Sequence, residues 1–230
     1  MLLRLSKFAK MRIPFKDEEI PLKTREKIEQ HLQKGVSFLQ AQREVLSRIL
    51  GILEEVNRMI PKGSSDQAQS EAEVKEALSR YRDLQVELQW LGTLEFNDRS
   101  LFSADEQVRS FKLFRTASRN VPRIKRFPIL LRLDPIAESD SPEDLSSGAL
   151  REALNAINEM IGQNIAAEND LRNCFTVLAG ETIAAQEFHF TEQKTKSWVA
   201  EIMERSNALV AQAHIDSDQL QRLLHESNSS

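Results

Sequence analysis

The stretch VSFLQAQREVLSRILGILEEVNRMI, residues 36–60, decides the fold. Leu39, Leu46, Leu53 and Ile60 recur every seven residues and continue a series that starts at Leu32. Val36, Ile49, Leu50 and Val56 widen the series into a stripe, and Arg43 and Asn57 interrupt it. A period near 3.5 keeps one face of a helix turned toward a partner along its whole length. The pattern begins at Ile28, and about 33 residues at ~1.5 Å each make a rod of roughly 50 Å. A helix that long must bury its stripe on other long helices.

The rest of the chain supplies them. Pro61, Gly63, Ser64 and Ser65 end the first helix, and Ser70 with Glu73 forms a capping box for the next. Its stripe is Val74, Leu78, Tyr81, Leu84, Leu88 and Leu91, and Gly92 suits the position just past its end. A short loop between two long stripes predicts an antiparallel helical hairpin. A third stripe starts near Gly148: Leu150, Ile157, Leu171 and Leu178 share one heptad position, and Leu154, Ile161 and Phe175 another. It runs to about residue 185, with Gly180 as a kink. A last amphipathic helix, 191–225, carries Trp198, Ile202, Leu209, Leu220 and Leu223.

Between the second and third stripes the composition changes. From Gln107 to Leu133 there are eight basic residues and no acidic one, partly interleaved with Phe111, Ile124 and Phe127. We read a β-hairpin or two short strands here, with FPILLRL, residues 127–133, β-like in composition. The expected organisation is an irregular arm over 1–27, interrupted by Pro14 and Pro21, and a long-helix rod domain over 28–102 and 141–185. A basic, β-like excursion covers 103–140, and a C-terminal helix covers 186–230.

Composition agrees with a mainly α chain: Gly and Pro number only 7 each in 230 residues, and aromatics are 6 %. The net charge of −4 does not mark the whole chain as a nucleic-acid binder. One cysteine, Cys174, excludes an internal disulfide, and its apolar helical setting suits a buried structural thiol. The start, MLLRLSKFAKMRI, is broken by Arg4, Lys7, Lys10 and Arg12, so no signal peptide is read there. His31, His189, His214 and His225 form no ligand-spaced pair, and no phosphate-binding or nucleophile motif occurs. No catalytic, cofactor or metal residue is expected. The basic stretch could bind nucleic-acid phosphates with ring stacking, or be a surface hairpin paired with acidic neighbours.

Several of these stretches resemble the bacterial flagellins and the related hook–filament junction proteins. Residues 36–60 resemble the family's "Q-A-x-x-x-L" helix. LGTLEFNDRSLF, residues 91–102, is similar to its "F-N-G" corner, with Asp98 in place of the glycine. ALREALNAINEMIGQNIAAENDLRNCFTVLAG, residues 149–180, and ALVAQAHIDSDQLQRLL, residues 208–224, resemble its returning and closing segments. Glu55 stands where receptor-recognised members carry a basic residue.

The resemblance implies a long antiparallel helical rod with a small β-hairpin, and export through the flagellar channel without a cleaved signal. It implies assembly into a filament or junction outside the cell, and partnership with copies of itself, other axial proteins and an export chaperone. It implies no membrane partner. In the family an N-terminal helix pairs with the C-terminal one, and residues 4–19 resemble only the segment that comes after that N-terminal helix. The stripe of 191–225 is therefore expected to lack a partner within the chain. Trp198, Ile202, Leu209, Leu220 and Leu223 become the expected assembly interface. The alternative is an intracellular helical interaction protein that uses residues 107–133 on nucleic acid or an acidic partner.

Overall fold

A computed structural model describes residues 22–60, 70–113, 123–180, 187, 191–205, 207, 208, 211 and 212. The chain is mainly helical. Helix α1 is Leu22–Met59 and α2 is Glu71–Gly92; strands β1, Arg109–Lys112, and β2, Arg123–Arg126, follow. Then come α3, Ile129–Ala137, a short 3-10 turn, Pro142–Asp144, and α4, Ser147–Ala179. Residues 191–205 are helical again and are called α5.

The seven-residue series of α1 is the centre of the core. Leu32, Leu39, Leu46 and Leu53 are at most 1 % exposed, as are Val36, Ile49 and Val56. Both α2 and α4 run antiparallel to α1. Arg48 and Glu55 of α1 pair with Glu87 and Arg80 of α2. Gly35 and Gln42 meet Leu171 and Asn164 of α4. The interruptions in the stripe have separate explanations: Arg43 reaches Glu168 on α4, and Asn57 faces solvent. The helix begins at Leu22, so residues 22–27 belong to α1 rather than to an irregular arm.

Ser70 caps α2 as the sequence indicates. Its Oγ accepts from the Glu73 amide, and the Ser70 amide donates to Glu73 Oε2 at 2.8 Å. Gly92 has a different role from the expected one. It is the last helical residue, followed by Thr93 in right-handed conformation. A Cβ at Gly92 would collide with Leu130 Cδ2, so the glycine admits α3.

The two strands pair antiparallel, with Arg109 opposite Arg126, Phe111 opposite Ile124 and Lys112 opposite Arg123. The β-like reading of residues 127–133 is corrected: from Ile129 onward they are helical. Ile129, Leu133 and Ile136 bury one side of α3 at i, i+4, i+7 spacing, while Leu131 and Arg132 stay exposed. A short apolar run has no periodicity of its own to choose between strand and helix, so packing decides. Tyr81 Oη and Gln85 Nε2 of α2 donate to the Ile136 carbonyl, at 3.0 and 2.7 Å, which satisfies the end of α3. Helix α4 ends at Ala179 with Gly180, at φ 87, as its C-cap, and the expected continuation over 181–185 lies outside the described residues.

Candidate functional site

The corner between α2 and β1 is a tight two-residue reversal. Phe96 and Arg99 exchange backbone hydrogen bonds of 2.8 and 3.2 Å, and Asn97 and Asp98 sit at φ 50 and 58. Positive φ at both central positions is the type I′ turn, which joins strands at their natural twist and favours Asn, Asp and Gly. Asp98 therefore does what a glycine would do, at some steric cost. Phe96 is turned inward and meets the Trp198 ring of α5 edge-to-face, 5.1 Å between centroids.

That contact changes the reading of the last helix. Its stripe finds partners in this chain over Thr191, Thr195, Trp198 and Ile202. Thr191, Thr195 and Ile202 are buried, Trp198 packs on the corner, and Thr195 Oγ1 donates to Gln40 Oε1 of α1 at 3.2 Å. The expectation that this stripe lacks an internal partner is corrected for these residues. Leu209, Leu220 and Leu223, the rest of the expected interface, lie outside the described residues.

A polar seam that sequence reasoning missed ties these elements together. Gln42 is fully buried, and its Nε2 donates to the carbonyls of Leu101 in the corner and Lys125 in β2, at 2.7 and 3.1 Å. Its Oε1 accepts from Asn164 of α4 at 2.8 Å. Gln40, also buried, donates to Glu168 and accepts from Thr195. Glu168 further receives Arg43 at 2.5 Å and Arg172 at 2.7 Å. So QAQR, residues 40–43, is a junction at which one turn of α1 holds the corner, the hairpin, α4 and α5. The available signal was an uncharged polar pair inside an otherwise apolar series, a pattern that buried residues adopt only with partners.

Two outward surfaces remain. On α4, Asn155, Asn158, Gly162, Ile165, Asn169, Asn173 and Val177 are all exposed or half-buried at spacings of three and four, so they form one line. It carries no charge, and Ile165 and Val177 are 41 % and 46 % exposed. On the hairpin, alternation sends Phe111, Ile124 and Arg126 inward and leaves Ser110, Lys112, Arg123 and Lys125 together on the exposed side. Lys125 Nζ donates to Gln163 at 2.8 Å, and Arg109 pairs with Asp105. Of the other expected basic residues, Arg132 is exposed on α3, and Arg115 and Arg119 lie outside the described residues.

Cys174 is buried, and burial first, then the nearby Asp170 carboxylate, pushes its thiol pKa up, which suits an inert structural thiol. Among the described residues there is no group of three or more metal-ligating side chains, and no helix is long and apolar enough to cross a membrane. No family model matches this chain, and no curated protein matches it significantly.

Proposed function

We propose that this chain is a structural subunit of a flagellin-like axial assembly, building a filament or a hook–filament junction from antiparallel helical rods. The observation that carries the reading is the order of parts around α1. A long helix, an antiparallel partner, an Asn-Asp corner, a small hairpin and a long returning helix come in the sequence order that the resemblance implies. The outward line on α4, flanked by exposed Arg151, Glu159 and Asp170, gives such a unit a helical surface on which a neighbouring copy can lie.

In this reading Leu209, Leu220 and Leu223 form the assembly face of the terminal helix, while Trp198 and Ile202 act one step back, docking that helix on the corner. The test is electron microscopy of the purified protein with added filament seeds. Elongation is expected, and it is expected to be lost in Leu209→Asp and Leu220→Asp with helix content retained. Filaments from both variants would sink this assignment.

The second reading is a helical interaction protein that uses its basic hairpin on nucleic acid, and the shared exposed side of Lys112, Arg123 and Lys125 favours it. Arg126 lies on the inward side with its Nε buried and unpartnered, so it is not part of that surface. A salt-dependent shift of labelled RNA or DNA, lost in the Lys112→Ser, Arg123→Ser, Lys125→Ser triple variant, supports this reading. No shift at low salt removes it.

A further inference from the structure

A second feature lies beside the junction and is independent of assembly. Between the first third of α1, the corner and the end of β1 there is an open cavity of about 430 Å³. Phe38, Phe96 and Phe111 give it an aromatic lining and Leu113 adds an aliphatic one. Phe38 and Phe111 meet edge-to-face at 5.3 Å and 82°, so their relative orientation is fixed by packing. Lys34 and Arg99 stand at its rim, both exposed, and no acidic side chain lines it among the described residues. Arg99 lies over the Phe111 ring with Cζ 4.9 Å from the centroid. The contact places the guanidinium over the ring, where it can donate a hydrogen bond to a ligand in the cavity. Neither Arg99 nor Lys34 makes an ion pair among the described residues.

We propose that this cavity is a binding site for an aromatic anion: a flat ring system carrying a carboxylate, sulfonate or phosphate. The volume falls in the range of small-molecule sites, roughly 300–1,000 Å³. The apolar lining rewards burial of a ring, and fixed aromatic neighbours add edge and face contacts that an aliphatic chain cannot match. The two rim cations select charge. A neutral ring gains only burial, a cationic one is repelled, and an anionic one adds a charge-assisted hydrogen bond from Arg99. A positive rim that makes no ion pair among the described residues is what separates this cavity from an ordinary gap between packed elements.

The test is a fluorescence titration of the full chain with 8-anilinonaphthalene-1-sulfonate. One saturable site per chain is expected. Arg99→Glu should weaken it by about tenfold or more, Lys34→Glu should weaken it less, and Arg99→Lys should fall between wild type and Arg99→Glu. N-phenyl-1-naphthylamine, the same rings without the sulfonate, should bind more weakly and without salt dependence. Arg99 and Lys34 are exposed, so helix content and melting temperature should stay unchanged and show that lost binding is not lost folding. Equal affinity in wild type, Arg99→Glu and Lys34→Glu would overturn the proposal. So would a neutral probe that binds as tightly as the sulfonate, or several unsaturable sites per chain.

Discussion

From Val45 to Val56 the buried side of α1 is apolar. Val45, Leu46, Ile49, Ile52, Leu53 and Val56 are at most 2 % exposed, and the polar contacts to α2 stand at the edge, Arg48 to Glu87 and Glu55 to Arg80. From Gln33 to Arg43 the same helix buries Gln40 and Gln42 as deeply, and each is spent on hydrogen bonds to other elements. Apolar packing is strong but non-directional. Buried amides are weak in net terms, yet costly to leave unpaired. The second half of α1 therefore supplies cohesion, and the first half specifies where the corner, the hairpin and α5 attach.

The sharpest test of that division is Ile52→Ala against Gln42→Leu. Ile52→Ala empties part of the dry half and should cost about 2–5 kcal/mol, read as one cooperative loss in a denaturant titration. Gln42→Leu keeps the volume but takes the Gln42 donor from the Leu101 and Lys125 carbonyls and leaves the Asn164 amide with the Leu39 carbonyl alone. It should cost about 1–3 kcal/mol, with amide exchange rising first in the corner and hairpin and little changed in α2. If both variants lost protection uniformly, the two halves would form one cooperative unit and the division would be wrong.

Smaller effects refine it. Ser70→Ala removes the cap of the helix that the dry half holds, at a cost of about 1 kcal/mol in thermal melting. The same cap gives a pH signature. Hydrogen bonds from the Ser70 amide and hydroxyl hold the Glu73 carboxyl below its ordinary pKa, so the folded state favours the charged form. A lowered folded pKa means the contribution is present above the ordinary carboxylate value of 4.5 and is lost as pH falls through the lower folded value. Glu55 behaves likewise, first through its hydrogen bond from Arg80. Helicity should thus decline on acidification below about pH 4.5, and less steeply in Ser70→Ala. The smallest effect has the opposite sign. Asp98→Gly relieves a left-handed residue at φ 58 and should raise stability by up to about 1 kcal/mol. A destabilised Asp98→Gly would mean that the Asp98 side chain, not its backbone, holds the corner.

Much of this is legible in the sequence. The leucine series of α1, the Ser70–Glu73 cap and the returning stripe of α4 are local patterns, and a period of about 3.5 states both the helix and its buried side. The hairpin is legible only as a region, because four-residue strands carry little periodicity. Residues 129–133 mislead, since an apolar run fits a strand and a buried helix equally. The corner is recognisable, but its role as the seat of Trp198 is not, because Phe96 and Trp198 are about a hundred residues apart in the chain.

The sequence by itself determined that α1, α2 and α4 are long helices, where α2 is capped and which faces of the three must be buried. Those properties depend on neighbours within a few residues. Tertiary structure decided what each buried face meets: that Gly92 makes room for Leu130, that Gln40 and Gln42 are paired, and that Trp198 and Ile202 turn onto their own chain. A stripe states only that it must leave water. The partner is chosen by shape and hydrogen-bond matching between segments distant in the chain, and no local pattern encodes that match.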